Sequence, residues 1–514
     1  MKKQSLIKGS LILGVAGILT RFLGIFFRWP LIMLIGDEGV GYYQMSYPLY
    51  MFFIALASGI PMAVSKIVSE KNATGKSEES FMVMRASLII MLILGTGMTI
   101  MLGGFAKPII SFLKWDPKAY YSLLGICLAP ILIAIMTAIR GFFQGLQNMT
   151  PSAISQVIEQ IGRVVVGVGL AFLLLPYGIE YAAGGAAFGA AAGGFLGGIY
   201  LLFKYLKVRQ AYGIKKVKSN PKIMDEILRV AIPISLGATV GAVMSLIDSI
   251  LVPQKLLQAG FSAKDSTILY AQLTGKATVL TNIPLTLSMA LSISLIPIIA
   301  EKFILKDKIE LERKIDSAMK FSFVIAIPCF LGLYFMAEPV MKLIFPGRYE
   351  GYTILKYLSI SIPFIIMAQT TTAILQAIGH YIRPVINLVI GCIVKIILTL
   401  ILVPIPTLNV YGAVVATVGG YVVASILNII CLHKELMVSI NYKDALIKPA
   451  LGALVMINIV LVVYYKLFSM YQSNGFATLI SIFCGIIIYI LLIVILGVFS
   501  YGEIKDRLKR PKKS

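Results

Sequence analysis

The sequence has little charge and almost no histidine. Only 13% of its 514 residues are Asp, Glu, Lys or Arg, whereas 58% are hydrophobic. A soluble protein of this length needs more polar residues to cover its core, so composition excludes the soluble class. The two histidines, His380 and His433, lie at predicted helix ends. They provide little material for a metal centre or a histidine-based catalytic triad.

Cysteine and acidic residues are also scarce. The five cysteines all fall inside apolar runs without a paired spacing, which predicts small buried side chains rather than disulfides or metal ligands. There are 23 acidic residues against 46 Lys and Arg, giving a formal charge of +23. Because the basic residues concentrate in the connections between apolar runs, they indicate membrane topology, and we expect no nucleic-acid partner.

Long apolar runs are what the sequence has in abundance, and each is long enough to cross roughly 30 Å of hydrocarbon as a helix. Backbone groups in lipid must be satisfied within the segment, so repeated runs predict an all-α polytopic membrane protein. About fourteen spans are predicted, at residues 9–35, 43–68, 81–105, 120–143, 151–175, 182–205, 225–252, 268–300, 315–336, 354–379, 384–403, 411–432, 445–468 and 476–499.

The orientation follows from Lys and Arg in the connections. Connections on the amino-terminal side hold about 29 of these residues and those on the other side about eight. This asymmetry predicts that both termini lie in the cytoplasm. The apolar run after Met1 resembles a signal peptide, but Arg21 interrupts it and another span follows, so we predict a retained first helix.

The two halves of the chain repeat. The pattern Gln144-Gly145-Leu146 with Pro151 returns as Gln376-Ala377-Ile378 with Pro384, and a Gly/Ala-rich span follows each. Parallel repeats of six spans predict two lobes related by a pseudo-two-fold axis, a transporter architecture with the substrate path between the lobes. The predicted parts are a first lobe at 1–206, a basic linker at 207–223, a second lobe at 224–433, two extra spans at 434–500 and a basic tail at 501–514.

Arg21 and Arg28 lie inside the first predicted span. Counted from Lys8, they are about 20 Å and 30 Å along the helix, and their spacing of seven places them on one face with Gly24 between them. A central arginine costs at least about 2.5–3.5 kcal/mol in a bilayer, so it should face protein or water. One interpretation is an anion clamp, because guanidinium binds phosphate through paired hydrogen bonds. The alternative is pairing with a neighbouring acid, or snorkelling for Arg28.

Further embedded charges follow in later spans. Glu159 and Arg163, with Gln160 beside them, form either a substrate site or a self-satisfied pair four residues apart. Asp248 is the acid well inside the seventh span, either a partner for an arginine or a coupling-cation ligand. Lys276 is deep enough in the eighth span to line a cavity. Because embedded bases outnumber embedded acids, the predicted substrate is an anion.

These residues belong to stretches that resemble a known family. The stretches are TRFLG at 20–24, GDEGVGYY at 36–43, RGFFQGLQNMTP at 140–151, LIDSILVP at 246–253 and QLTG at 272–275. Together they resemble the polysaccharide-biosynthesis flippases of the multidrug/oligosaccharidyl-lipid/polysaccharide exporter superfamily, most of all the stage V sporulation protein B branch. The resemblance covers nearly the whole chain in order, and it is specific as a set.

The resemblance implies a fourteen-helix flippase whose central cavity alternates between inward-open and outward-open states. Related lipid II flippases move an undecaprenyl-pyrophosphate-linked peptidoglycan precursor and need arginines of the first helix. Arg21 matches that motif directly, whereas Arg28 lies one residue further along than in the lipid II flippase branch. The second span here also has no basic residue in its middle, and Lys276 does not align at a matching spacing. The implied partners are an undecaprenyl-pyrophosphate-linked glycan and membrane lipids.

The function predicted from the sequence is therefore translocation of a lipid-linked cell-wall precursor, such as lipid II, by a monomer without a metal or organic cofactor. A coupling cation, H⁺ or Na⁺, is left open. The main alternative is a cation-coupled multidrug antiporter of the same superfamily. A membrane glycosyltransferase or acyltransferase would need an acid or histidine constellation, to which only Asp37 and Glu38 come near. A non-transporting scaffold for wall synthesis is the last alternative.

Overall fold

The computed structural model describes residues 6–214, 221–436 and 443–498, and every regular element in these ranges is a helix. The prediction of an all-α polytopic protein is confirmed. Residues 215–220 of the predicted linker, residues 437–442 and the predicted tail lie outside the described residues.

The chain divides into two compact units, Met1–Ala271 and Gln272–Ser514. The helices of unit 1 are α1 Leu6–Ala57, α2 Gly59–Ala73, α3 Ser77–Gly104, α4 Ala106–Leu113, α5 Ala119–Ile126, α6 Ala129–Gly145, α7 Thr150–Leu174, α8 Ile179–Ala211, α9 Pro221–Gln258 and α10 Ala263–Ala271. The lobe boundaries predicted from the sequence repeat stay a prediction.

Unit 2 opens with a π-helical turn, Gln272–Ala277, and a second π-helical turn, Lys443–Ile447, precedes its last two helices. Its α-helices are α11 Thr278–Ile304, α12 Lys308–Phe335, α13 Ala337–Ile344, α14 Tyr352–Leu358, α15 Ser361–Ala377, α16 Ile382–Leu402, α17 Val410–Leu436, α18 Lys448–Tyr471 and α19 Asn474–Ile495.

Within the described ranges, ten helices are long and apolar enough to cross a membrane, or up to twelve if each of two bent pairs is one span. Each predicted span coincides with helical structure. The first two run together in α1 and are separated by one non-helical residue, Gly36, with φ 65°. Only glycine adopts this backbone conformation readily, so the connection between these two predicted spans, residues 36–42, is non-helical at this single position.

The stronger of the two bends between helix pairs lies in α9. Its two parts, Pro221–Leu236 and Gly241–Gln258, are bent by 58° relative to each other. Pro233 distorts the turn that precedes it, whereas the break itself is flanked by Gly237 and Gly241, and glycine weakens a helix interior. A second bent pair, Tyr352–Leu358 and Ser361–Ala377, differs in direction by 43°.

The glycine-rich face of α8 brings its backbone against α7. Glycines at every fourth position share this face, so they form one stripe along the helix. A Cβ on Gly193 would lie 2.3 Å from the carbonyl oxygen of Glu159, and one on Gly189 would lie 2.7 Å from that of Arg163. Small residues permit such close approach of membrane helices. The stripe therefore fixes the stretch of α7 that carries Glu159 and Arg163.

Unit 2 is built around apolar contacts of α11, α12 and α15, with Leu285, Ala326 and Ile366 in its core. A buried amide pair joins the next two helices, because Asn387 of α16 donates to the side-chain oxygen of Asn428 of α17 at 2.8 Å. Asn428 in turn donates to Thr372 of α15 at 3.0 Å. The amides of these two asparagines thus have hydrogen-bond partners within the bundle, as burial in an apolar interior requires.

We predict that Gly193→Ala lowers the thermal unfolding temperature. The new methyl group would meet a backbone oxygen that cannot swing aside, and overpacking of this kind costs about 1–3 kcal/mol. Gly198→Ala on the same helix is the control, because its Cβ would lie 3.8 Å from Met136, an ordinary contact. Thermal unfolding of both variants in one detergent is the measurement. Equal effects of the two substitutions would contradict the close-approach argument.

Candidate functional site

One carboxylate in unit 1 is shared by two arginines. Glu159 of α7 pairs with Arg140 of α6 at 2.9 Å and with Arg163, one turn along α7, at 4.0 Å. The side chains are largely buried, with exposed fractions of 17%, 11% and 13%. Removing charges from water is costly unless they are paired, which is why the carboxylate lies between the two guanidinium groups.

Arg140 is held tightly on its side of Glu159. Its Nε donates to the hydroxyl of Ser155 at 2.8 Å, and its Nη2 contacts the sulfur of Met136 at 3.3 Å as well as the Glu159 carboxylate. Ser155 itself donates to the carbonyl of Ser152 at 2.7 Å. Sequence reasoning did not assign Arg140 to the site. The sequence did contain a signal for this contact. A short connection joins α6 to α7, and residues equally distant from it, such as Arg140 and Ser155, come to lie side by side on the two helices.

Arg163 is held less completely. Its Nη1 donates to the hydroxyl of Tyr47 at 3.4 Å, and the guanidinium lies 5.9 Å from the centre of that ring. The Tyr47 ring stacks on the Tyr43 ring, with 5.4 Å between the ring centres, and its centre lies 5.8 Å from that of the Tyr50 ring. Among the described residues, the buried Nε of Arg163 has no hydrogen-bond partner. The guanidinium therefore keeps an unused donor inside the bundle, which is unusual for a buried polar group.

The first part of α1 faces the same region. A Cβ on Gly24 would lie 3.6 Å from the amide nitrogen of Gln160, so the Gly24 face of α1 is turned toward α7. Arg28 shares that face by helical periodicity, is partly buried, and lies within electrostatic range of the Tyr43 hydroxyl, as does Arg163. Arg21 lies in α1, but its side chain is outside the described residues.

The arrangement favours an anion. The three guanidinium groups of Arg28, Arg140 and Arg163 and the one carboxylate of Glu159 sum to a charge of +2. Guanidinium groups offer paired donors that match the geometry of phosphate oxygens. The described residues contain no group of three or more His, Cys, Asp or Glu side chains able to hold a metal ion.

Asp248 lies in the second part of α9, also within unit 1. Its Oδ1 is buried without a hydrogen bond, although the residue does take part in another interaction. The neighbouring Ser249 carbonyl accepts a hydrogen bond from the Trp115 indole at 2.7 Å. A role for Asp248 as an arginine partner or a cation ligand stays a prediction.

Lys276 lies in unit 2, within the π-helical turn, and is fully buried. Its ammonium donates to the carbonyl of Arg348 at 2.7 Å and to that of Glu350 at 3.3 Å, and the Glu350 carboxylate is 3.8 Å away. The Phe345 ring lies 5.9 Å from the same nitrogen. In this conformation Lys276 fastens the loop between α13 and α14, so its predicted contact with substrate would need the loop to open.

Comparison with known proteins agrees with this picture. Residues 6–303 match the family described as polysaccharide biosynthesis protein. The chain is 32% identical to stage V sporulation protein B of Bacillus subtilis (strain 168) over 453 residues, 86% of each chain. It is 27% identical to the lipid II flippase MurJ of the same organism over 458 residues, covering 84% of this chain and 83% of the relative.

Solved structures share the fold. A lipid II flippase MurJ in an inward closed conformation superposes with a TM-score of 0.74 at 18% identity, covering 97% of this chain and all of that one. An inward-facing multidrug resistance MATE family transporter of the MOP superfamily superposes with a TM-score of 0.68 at 17% identity, covering 81% and 94%. The predicted superfamily fold is therefore confirmed, and the chain is a multi-pass membrane protein.

We predict that Glu159→Gln destabilises unit 1, because it leaves two buried guanidinium groups without their shared counterion. Breaking a buried pair from one side costs about 3–5 kcal/mol. The control is Glu70→Gln, which removes the exposed pair with Lys66 at 4.0 Å, a contact worth about 0–1 kcal/mol.

Thermal unfolding of the two variants and of the double variant Arg140→Gln/Glu159→Gln gives the test. The double variant should recover part of the stability lost in Glu159→Gln. It leaves one buried guanidinium group unpaired, that of Arg163, instead of two. Equal stability of wild type and Glu159→Gln would show that the carboxylate does not support the arginines.

We predict that Lys276→Met exposes the loop between α13 and α14 to protease. The thioether side chain fills similar space but cannot donate to the two carbonyls, so trypsin should cleave after Arg348 faster than in the wild type. Lys264→Met is the control, because Lys264 is exposed in its pair with Glu38 at 3.1 Å. Unchanged cleavage after Arg348 would count against the fastening role.

Proposed function

Because the chain belongs to the family of polysaccharide biosynthesis proteins, we propose that it is a flippase for a lipid-linked oligosaccharide precursor of the cell wall. Lipid II is the first candidate substrate. The proposed direction is from the cytoplasmic to the outer leaflet of a bacterial plasma membrane, by alternating access, with both termini in the cytoplasm.

The observation that carries the proposal is the charge of the unit 1 site. Arg140 and Arg163 share one carboxylate among transmembrane helices, where each charge is costly, and Arg28 adds a third guanidinium group on the facing surface of α1. A membrane protein without an anionic ligand would gain nothing from this surplus. The pyrophosphate of a prenyl-linked glycan is a negative group that such a surplus would stabilise.

Within the site, Arg163 is the residue best placed to bind the pyrophosphate. Its Nε has no partner among the described residues, and its contacts with Glu159 at 4.0 Å and Tyr47 at 3.4 Å are long. A phosphate oxygen would therefore replace weak contacts with short charge-assisted hydrogen bonds. Arg28 and Gln160, on the facing surfaces of α1 and α7, would complete the cradle, with Arg21 as a further candidate from the sequence.

Glu159 would act as the counterion of the empty site. It keeps its short contact with Arg140 at 2.9 Å, so Arg140 stays neutralised and fixed when Arg163 turns to the substrate. A site of three arginines without this carboxylate would be too unstable to exist empty in the bilayer. The arrangement thus permits reversible binding, which a transporter needs on both sides of the membrane.

The glycan would cross the membrane along a path inside the protein while the prenyl chain stays in lipid. Sugar hydroxyls lose hydrogen bonds in hydrocarbon, and each unpaired group costs roughly 2–7 kcal/mol. A polar path through the bundle removes that cost. The protein would supply such a path, and the arginines would anchor the charged end of the substrate to it.

The alternative is a cation-coupled multidrug antiporter of the same superfamily, and the fold shared with the inward-facing multidrug resistance MATE family transporter is the observation that favours it. In that case Na⁺ or H⁺ would drive dye efflux, and Asp248→Asn would abolish the dependence on that cation. The same variant tests a coupling cation in the flippase. Cation-dependent efflux without translocation of a lipid-linked glycan would favour the antiporter.

The decisive experiment is headgroup translocation of labelled lipid II in vesicles that contain the purified protein. We expect transport by the wild type. The transport rate of Arg163→Gln and of Arg28→Gln should be about 10–100-fold lower, because each variant loses one charge-assisted hydrogen bond to the substrate. Arg21→Ala tests the residue carried by the family resemblance.

The matched control is Arg229→Gln, which removes an exposed arginine of α9 that pairs with Asp225 at 2.8 Å. It should transport like the wild type. Transport at wild-type rate in Arg163→Gln and Arg28→Gln would rule out the proposed cradle. Absence of transport by the wild type would move the search to other prenyl-linked glycans.

A further inference from the structure

Unit 1 contains a cavity of about 240 Å³ that the proposed function does not use. It lies between the end of α1, the start of α2, and the helices α3 and α6. Most of its wall is apolar, including Ile54, Met91, Met98, Pro130, Ile133 and Ala134. Arg140 and Gln144 are at one end, where α6 approaches its last residue, Gly145.

The hydroxyl groups on the wall do not change its apolar character. Ser58 donates to the carbonyl of Ala55 at 2.7 Å, and Thr137 donates to that of Ile133 at 2.8 Å. Both hydroxyls are thus satisfied within their own chain segment. A stable buried water needs two to four polar partners, and this part of the wall offers only the acceptor lone pairs of these two hydroxyls. A hydrocarbon group is therefore a more favourable occupant of this part of the cavity than water.

The polar end differs from the wall. Nε and Nη2 of Arg140 are fixed by Ser155 and Glu159, which orients the guanidinium at the edge of the cavity. One turn further, the Gln144 side chain also lines the cavity. Arg140, Glu159 and Arg163 together carry a charge of +1. This end therefore offers donors and net positive charge to a headgroup.

The dimensions match one chain of a membrane lipid. From Pro130 to Arg140 the helix rises about 15 Å, half of a hydrocarbon core of about 30 Å. The volume is below the range of roughly 300–1,000 Å³ of pockets for drug-sized ligands. This volume and length suit a segment of a single hydrocarbon chain and are small for a glycan-bearing headgroup.

We propose that the cavity binds one acyl chain of an anionic phospholipid, with the lipid phosphate at Arg140 and Gln144. On the predicted topology, the polar end lies toward the cytoplasm. A phospholipid of the cytoplasmic leaflet has this same orientation, with its headgroup outward and its chains toward the midplane. The charge of +1 matches a phosphodiester with one negative charge better than a pyrophosphate. The polar end shares the Arg140–Glu159 pair with the proposed substrate site, whereas the apolar wall belongs to the cavity, so labelling along the wall tests this proposal independently of substrate transport.

The test is photolabelling of the full-length protein in phosphatidylcholine vesicles that contain phosphatidylglycerol with a diazirine on its acyl chain. We expect labelled peptides from α3 and α6 around Met91, Met98 and Ala134. Met98→Trp fills the cavity and should lower this labelling by about tenfold. Met101→Trp makes the same change on the lipid-exposed surface of α3 and should leave the labelling unchanged.

A second variant tests the headgroup end without filling the cavity. Gln144→Leu should lower labelling by phosphatidylglycerol, because the amide no longer donates to the lipid phosphate, while the protein elutes as a folded species. In the wild type, phosphatidylglycerol should label the cavity more than a phosphatidylcholine probe with the same diazirine, because of the net positive charge at the polar end. Equal labelling in Met98→Trp and wild type, or equal labelling by the two lipids, would overturn the proposal. Displacement of the label by a polyprenyl phosphate, but not by unlabelled phosphatidylglycerol, would instead assign the cavity to the substrate chain.

Discussion

The carboxylate of Glu159, shared by Arg140 and Arg163, is the interaction on which the candidate site depends. Two guanidinium groups among transmembrane helices are tolerable only because one acid lies between them. The sharing is unequal, with a short contact to Arg140 and a long one to Arg163. This inequality divides the site into a fixed arginine that belongs to the scaffold and a second arginine with an unused donor.

The position of Glu159 in turn depends on glycine. The stripe on α8 allows the α7 backbone to approach so closely that a methyl group at Gly193 would strike the Glu159 carbonyl. Membrane helices gain little from burying apolar side chains against each other, so close backbone packing is a main source of their association. The glycines of α8 thus determine the position of the charged residues of α7.

Much of the fold was accessible from the sequence, because hydrocarbon leaves a helix few alternatives. Every predicted span coincides with helix, and the Glu159–Arg163 contact was one of the two alternatives that their spacing of four residues offered. Side-chain partners between helices were less accessible. Arg140 was missed, although its distance from the α6–α7 connection equals that of Ser155. Lys276 was expected to line a cavity, which stays a prediction, and its contacts with a loop about 70 residues further along the chain were not foreseen.

The sequence by itself determined the membrane class, the helical spans, the family and the excess of embedded bases. These properties follow from composition and from local periodicity, which act over one helix at a time. Only the tertiary structure decided which arginine Glu159 holds closely, that Gln160 faces Gly24, and that an apolar cavity ends at Arg140. Those facts depend on how one helix is rotated and offset against another. Helix rotation is set by packing between distant segments, which no local pattern records.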